Sequence, residues 1–164
     1  VLVGVEIERR FLVVKPPALA ALAYVDIAQG YLALGDGGGE VRVRQAGERR
    51  TLTVKSGFGL VRRETEIELT AAQYEALWPA TLSCRLEKRR YTFPIDGRKL
   101  EVDVYGGDLN GLIVAEIEFE SVEASRSFLA PSWCVCEVTE DDRFRNRSIL
   151  ALTPDGLRAL LAGL

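Results

Sequence analysis

The chain has 164 residues, with 24 Asp and Glu against 21 Lys and Arg, and it contains no histidine. That length suits a single domain, residues 1–164, large enough to bury its own core. The net charge of -3 and a pI near 5.2 argue against a broad nucleic-acid surface. No apolar run is long enough to span a bilayer and no secretory signal precedes the first strand, so a cytoplasmic protein is expected.

Alternation of apolar and polar residues dominates the chain and predicts strands punctuated by turns. The first covers VEIERRFLV, residues 5–13. Val5, Ile7, Phe11 and Val13 share one face with Arg9 as the exception, and Glu6, Glu8 and Arg10 share the other. A second strand over 25–34 ends in Gly35-Asp36-Gly37-Gly38-Gly39, which lacks P-loop spacing and reads as a hairpin turn. Strands over 40–46, 49–55 and 62–69 follow. Thr70-Ala71-Ala72-Gln73 forms a capping box and opens a short helix ending near Trp78-Pro79. Further strands are expected over 84–93, 99–105 and 113–120. Ser121 caps a helix running to Leu129, and Thr153-Pro154 starts the last helix. Eight antiparallel strands in one domain, with helices as trimmings, predict a mainly β, α+β fold: a closed or nearly closed barrel with short flanking helices.

Without histidine, chemistry must come from carboxylates, Lys, Arg, Tyr, Cys or a water activated by an oxygen-bound metal. Carboxylate-only sites suit hard cations such as Mg²⁺, Ca²⁺ or Mn²⁺. Cys84, Cys134 and Cys136 have no metal-site spacing and read as reduced, structural thiols. The Asn146-Arg147-Ser148 sequon reads as an accident of composition.

One polar face per strand is what any antiparallel sheet with a wet side would show. The sorting of sign is less ordinary. Residues i and i+2 sit about 7 Å apart on one face, yet the doublets Glu6/Glu8, Arg42/Arg44, Glu64/Glu66, Lys88/Arg90, Glu101/Asp103 and Glu116/Glu118 each carry one sign. Such pairs concentrate potential, which is costly unless cations meet the acidic set and anions meet the basic set. A metal–polyphosphate substrate supplies both. The pattern alone leaves that reading level with a solvated face.

The ordered motifs go further. Glu6-Ile7-Glu8-Arg9-Arg10 resembles the E-x-E-x-K signature of the CYTH family, the triphosphate tunnel metalloenzymes. Gln29-Gly30-Tyr31-Leu32, Val41-Arg42-Val43-Arg44, Leu52-Thr53-Val54-Lys55, Glu64-Thr65-Glu66-Ile67, Glu87-Lys88-Arg89-Arg90-Tyr91, Glu101-Val102-Asp103, Ala115-Glu116-Ile117-Glu118 and Glu137-Val138-Thr139 follow in the family's order, covering residues 4–150. The resemblance implies an eight-stranded antiparallel barrel whose charged lumen holds divalent cations and a triphosphate. It implies Glu6, Glu8, Glu116 and Glu118 as metal ligands, with Glu64 and Glu66 in support. Arg42, Arg44, Lys55, Lys88 and Arg90 would hold phosphate oxygens, and Arg10, Lys88 and Glu66 are the residues expected at the chemistry. Glu101 and Asp103 could take a metal, orient a water or anchor the basic residues. The chain departs from the family at Arg10, where the motif has Lys; Thr65 and Phe144 stand where Tyr is common. Arginine stays protonated, so it can bind phosphate but cannot act as a base.

Phosphoryl transfer to water needs mainly positioning and electrostatics, which Arg, Lys and Mg²⁺ or Mn²⁺ supply. Hydrolysis of inorganic triphosphate is the expected activity, in a monomer or homodimer free of nucleic acid and membrane. The alternatives are a nucleoside or thiamine triphosphatase, a class IV type adenylyl cyclase, or a non-catalytic polyphosphate-binding module.

Overall fold

The computed structural model describes residues 1–16, 18–35, 37–81 and 84–163. Among these residues, nine strands form one antiparallel sheet: β1 Leu2–Val13, β2 Tyr24–Leu34, β3 Glu40–Ala46, β4 Arg49–Ser56, β5 Val61–Glu68, β6 Arg85–Ile95, β7 Arg98–Tyr105, β8 Ile113–Glu118 and β9 Cys134–Glu137. Helices α1 Ala71–Leu77, α2 Val122–Ser127, α3 Asn146–Leu150 and α4 Pro154–Ala162 are short. The order β5-β4-β3-β2-β6-β7-β8-β1 closes on itself because β5 also pairs with β1. Closure removes the free edges that an open sheet would leave.

The long first strand makes this closure possible. Its first half, Leu2 to Ile7, pairs with β5, and Glu8 to Leu12 pair with β8 on the opposite edge. Where β5 leaves off, β9 takes over the same edge, from Phe11 to Val13. This ninth strand and α3 were absent from the predicted elements. The expected barrel of eight strands is present, and β9 is an appendage on it.

Two apolar clusters lie on opposite sides of the sheet. Phe11, Val13, Leu100, Val102, Ala115 and Ile117 face outward and are covered by Phe119 and Phe128 around α2. The second cluster is inside. Leu12, Tyr31, Leu86, Tyr105 and Val114 point into the barrel and meet Val138, Phe144, Ile149 and Leu157 from the C-terminal segment. Each large side chain so buried contributes about 1.5–3 kcal/mol. The C-terminal helices are therefore not trimmings: they pack onto the apolar filling of one end of the barrel. No helix among the described residues is long and apolar enough to cross a membrane.

Local signals behave as their chemistry requires. Thr70 and Gln73 form the reciprocal capping box of α1, and Thr153 caps α4 with Pro154 at its first position. Helix α2 is capped by Ser121 but stops at Ser127, two residues before the expected end. In the β2–β3 connection Gly35 N–H bonds Gly39 C=O at 2.7 Å and Gly38 has a φ of 82°, a turn and no phosphate cradle. Asp36 of that stretch lies outside the described residues.

Candidate active site

The inward face of the strands carries the charged doublets to one cavity of about 460 Å³. Strand alternation decides this. Register pairs Glu8 with Glu118, Arg10 with Glu116, Arg44 with Thr51 and Lys55 with Glu64, so these side chains share the lumenal side. Around the ring, carboxylates gather on β8, β1 and β5, while cations gather on β4, β3 and β6. Two arcs of opposite sign face one another.

Of the residues singled out in the sequence, Glu6, Glu8, Arg10, Arg42, Arg44 and Lys55 line this cavity, as do Glu64, Glu66, Lys88, Arg90, Glu116 and Glu118. Glu101 lies at its wall, and Asp103 is fully buried behind it. They are not equivalent. Glu6, Glu8 and Glu118 each offer a carboxylate oxygen within 4.8 Å of the others. Glu116 instead accepts from Arg10 Nε at 3.0 Å and Arg90 Nη2 at 2.7 Å. Asp103 is gripped by Arg90 through Nε at 2.7 Å and Nη2 at 2.6 Å, and it also pairs with Lys88. Glu64 sits 3.7 Å from Lys55. Glu66 accepts from Arg44 at 3.2 Å, Arg49 at 3.0 Å and Thr53 at 3.1 Å.

Protonation follows the same division. Burial works against the Glu116 charge, but Lys88, Arg10 and Arg90 outweigh it and hold the carboxyl well below its usual range. Glu6 is likewise buried yet lowered, by Lys55 and Arg62. Glu8 goes the other way, pushed up to about 7 by burial and the neighbouring Glu116. Burial and Glu6 also raise Glu118. Burial lowers Lys88 despite Asp103, and burial with Arg42 and Arg90 lowers Arg44. Negative charge is thus under-compensated at Glu8 and Glu118. An all-oxygen set with surplus negative charge fits a hard divalent cation.

Sequence reasoning overlooked several participants. Arg62 lies on the lumenal face of β5 and within 3.2 Å of Glu6. Its signal was present: it precedes Glu64 by two residues, on the same face. Glu40 orients Arg42 at 3.3 Å and accepts from Asn146 Nδ2 at 2.9 Å. Nothing local in the sequence points to that contact.

Two named relatives match the chain over most of its length. The chain is 43% identical over 150 residues to a protein of Nitrosomonas europaea named inorganic triphosphatase, spanning 91% of this chain and 99% of that one. The chain belongs to the CYTH, or triphosphate tunnel metalloenzyme, family. An inorganic triphosphatase of Acetivibrio thermocellus is 35% identical over 149 residues, covering 90% and 94% of the two chains. The crystal structure of the inorganic triphosphatase NE1496 superposes with a TM-score of 0.66 at 41% identity, covering 91% of this chain and 96% of that one. No family model matches the sequence, so membership rests on these relatives.

Proposed function

We propose that this protein hydrolyses inorganic triphosphate to pyrophosphate and phosphate, with a divalent cation, Mg²⁺ or Mn²⁺, held by Glu6, Glu8 and Glu118. The observation that carries the proposal is the opposition of an acidic and a basic arc across one enclosed lumen. A linear polyanion with bound metal is the ligand that satisfies both arcs at once. The names of the relatives at 43% and 35% identity support the same substrate.

Each group then has a physical task. Arg42, Arg44, Lys55 and Arg90 hold phosphate oxygens, the guanidiniums as planar forks and Lys55 as a point charge. Lys88, lowered by burial, gives up some of its hold on a proton and can follow charge developing on the phosphoryl group. Asp103 and Glu66 are each engaged by two or more cations or hydroxyls, and they serve best as anchors that aim Lys88, Arg90 and Arg44. Glu64 and Glu116 stand one step back from Glu6, Glu8 and Glu118. The bound cation supplies neutralisation of phosphate charge and acidification of water.

Inorganic rather than nucleotide substrate is favoured by the lining. Its apolar members are Leu2, Val3, Gly4 and Val5, with no aromatic ring on which a purine could stack. We place this activity in the cytoplasm. The test is a panel of tripolyphosphate, ATP and thiamine triphosphate with Mg²⁺ or Mn²⁺ and product identification. Phosphate release from tripolyphosphate that chelator abolishes is expected. Cyclic AMP and pyrophosphate from ATP would indicate a cyclase, and tight binding without turnover a polyphosphate-binding module.

A further inference from the structure

Arg62 stands at the centre of the acidic arc. It projects from β5 opposite Glu6, and its Nη2 lies 3.2 Å from Glu6 and 3.6 Å from Glu8. Its neighbours are held differently. Lys55 Nζ donates to both oxygens of Glu6, at 2.6 and 2.8 Å. Arg90 forks onto Asp103, and Arg10 donates to Glu116 and to the Phe144 carbonyl. Among the described residues Arg62 makes only these two ion pairs and donates no well-directed hydrogen bond. Its hold on the carboxylates is Coulombic, the kind that a stronger cation displaces without breaking directed bonds.

The side chain also has somewhere to go. It lines a second cavity of about 300 Å³, bounded by the Gly57-Phe58-Gly59 turn and by residues 142 and 145–148. Arg62 itself, with Glu8, Arg10 and Asn146, lines both cavities, so its guanidinium stands where the two meet.

We infer that Arg62 is a displaceable counter-ion of the Glu6–Glu8 pair. It shares their negative charge with Lys55 while they hold no divalent cation and gives them up when one binds. The released guanidinium is then available to an anionic oxygen of the substrate. The inference rests on the proposed metal role of these carboxylates. Its physical basis is that two buried carboxylates need a cation, and a guanidinium and a divalent ion repel each other over the same oxygens. Arg62 thereby weakens metal binding to the substrate-free protein and discourages the site from filling before a phosphate chain can take the displaced charge.

Calorimetric titration of Mn²⁺ into substrate-free protein tests this, using wild type, Arg62→Gln, Arg62→Met, Arg62→Lys and Glu8→Gln. The two neutral variants should bind Mn²⁺ tighter than wild type by about tenfold or more, while Arg62→Lys, which keeps the charge, stays close to wild type. Unchanged or weaker Mn²⁺ binding in the neutral variants would overturn the inference. Failure of both neutral variants to fold would do so too, by marking Arg62 as a fixed structural cation. Wild-type binding that Glu8→Gln abolishes and Arg62→Gln leaves unaltered would remove the Arg62 role alone. No Mn²⁺ binding by any of the five proteins would remove the carboxylate site itself.

Discussion

Arg10, the residue at which the chain departs from its family's Lys, gives the sharpest test of the site. Its Nε donates to Glu116 at 3.0 Å and its Nη1 to the Phe144 carbonyl at 3.1 Å, so one side chain ties β1 and β8 to the turn ahead of α3. Burial opposes its charge, but Glu116, Tyr105 and Glu8 keep it protonated. Arg10→Ala leaves the Phe144 carbonyl without a donor and Glu116 with Arg90 at 2.7 Å. Breaking a buried pair costs about 3–5 kcal/mol, and the surviving partner places this case near 3. At about 2–4 °C per kcal/mol for a chain of this size, Tm should fall by about 6–12 °C. Arg10→Lys keeps one ion pair and loses about one hydrogen bond, about 1 kcal/mol, or about 2–4 °C. Activity separates the second role. The guanidinium lines the charged cavity, and a charge-assisted contact to phosphate there would be worth about 1.5–3 kcal/mol, or about ten- to a hundredfold in kcat/KM. Measured well below Tm on tripolyphosphate with Mg²⁺, Arg10→Ala should lose that factor and Arg10→Lys should match or exceed wild type. An Arg10→Ala protein that melts with wild type would refute the tie to the C-terminal turn. One that is fully active when folded would remove Arg10 from phosphate binding.

Glu8→Gln should abolish metal-dependent turnover without rescue by excess substrate. Its effect on stability should depend on pH in chelator. Because folding raises the Glu8 pKa from 4.5 to about 7, the folded state binds the extra proton, and this carboxylate destabilises the protein progressively as pH rises through that window. The variant should therefore melt above wild type near pH 8 and close to it near pH 5, and the reverse order would refute the assignment. Arg9→Ala should lower Tm by about 4–8 °C, from about 2 kcal/mol, with the kinetics of the folded protein unchanged. Arg9 lies on the outer face, donates to Glu137 at 2.9 and 2.6 Å, and satisfies the Ser125 and Phe128 carbonyls at 2.7 and 3.0 Å. Its hydrogen bonds lower the Glu137 pKa, so the part of this stability owed to that carboxylate is present above about pH 4.5 and lost on acidification, as melting curves at pH 3 and 7 would show. Gly30→Ala should cost about 1–3 kcal/mol of stability. Its Cβ would lie 2.4 Å from Thr81 Oγ1, which is fixed by hydrogen bonds to Arg85 and the Trp78 carbonyl. Denaturant unfolding would measure the loss.

The closed barrel and the membership of its lumen were legible because a strand has a period of two. Once Glu6 and Glu8 are assigned to one face, every i, i+2 partner on the strand follows, and the same holds for Arg42 and Arg44 or Glu116 and Glu118. The same rule reaches Arg62, which shares a face with Glu64; attention to like-signed doublets passed over a cation placed beside an acidic one. Arg9 breaks the apolar side of its strand because the outer face there meets β9 and the end of α2, elements that pair only in three dimensions. Alternation cannot say which carboxylate remains available to a metal. Glu116 and Glu118 are equivalent in sequence, yet Arg10 and Arg90 reach the first and leave the second exposed near Glu6 and Glu8. That choice is made by distances across the barrel, between residues more than 20 positions apart.

The end of the tunnel follows from the same alternation carried one step further. Along the lumenal face of β1 the sequence runs Glu6, Glu8, Arg10, Leu12; along β7 it runs Glu101, Asp103, Tyr105; along β8, read backwards, Glu118, Glu116, Val114. Register aligns the switch on β1 and β8, since Arg10 pairs with Glu116 and Leu12 with Val114; on the next edge Asp103 still stands level with Val114, so β7 changes one step later, at Tyr105. Charge therefore gives way to apolar surface within one residue pair around this part of the ring. Below that level Leu12, Val114 and Tyr105 pack with Phe144 and Ile149, and Arg10 sits at the boundary, one hand on Glu116 and the other on the Phe144 carbonyl. A low-dielectric floor beneath the charged lumen strengthens every ion pair above it and raises the cost of leaving any carboxylate there without a cation. The packing of the C-terminal segment is thus coupled to the electrostatics of the site. Substitutions in that apolar floor should alter metal binding as well as stability, although none of these side chains lines the cavity that Glu6, Glu8 and Glu118 share.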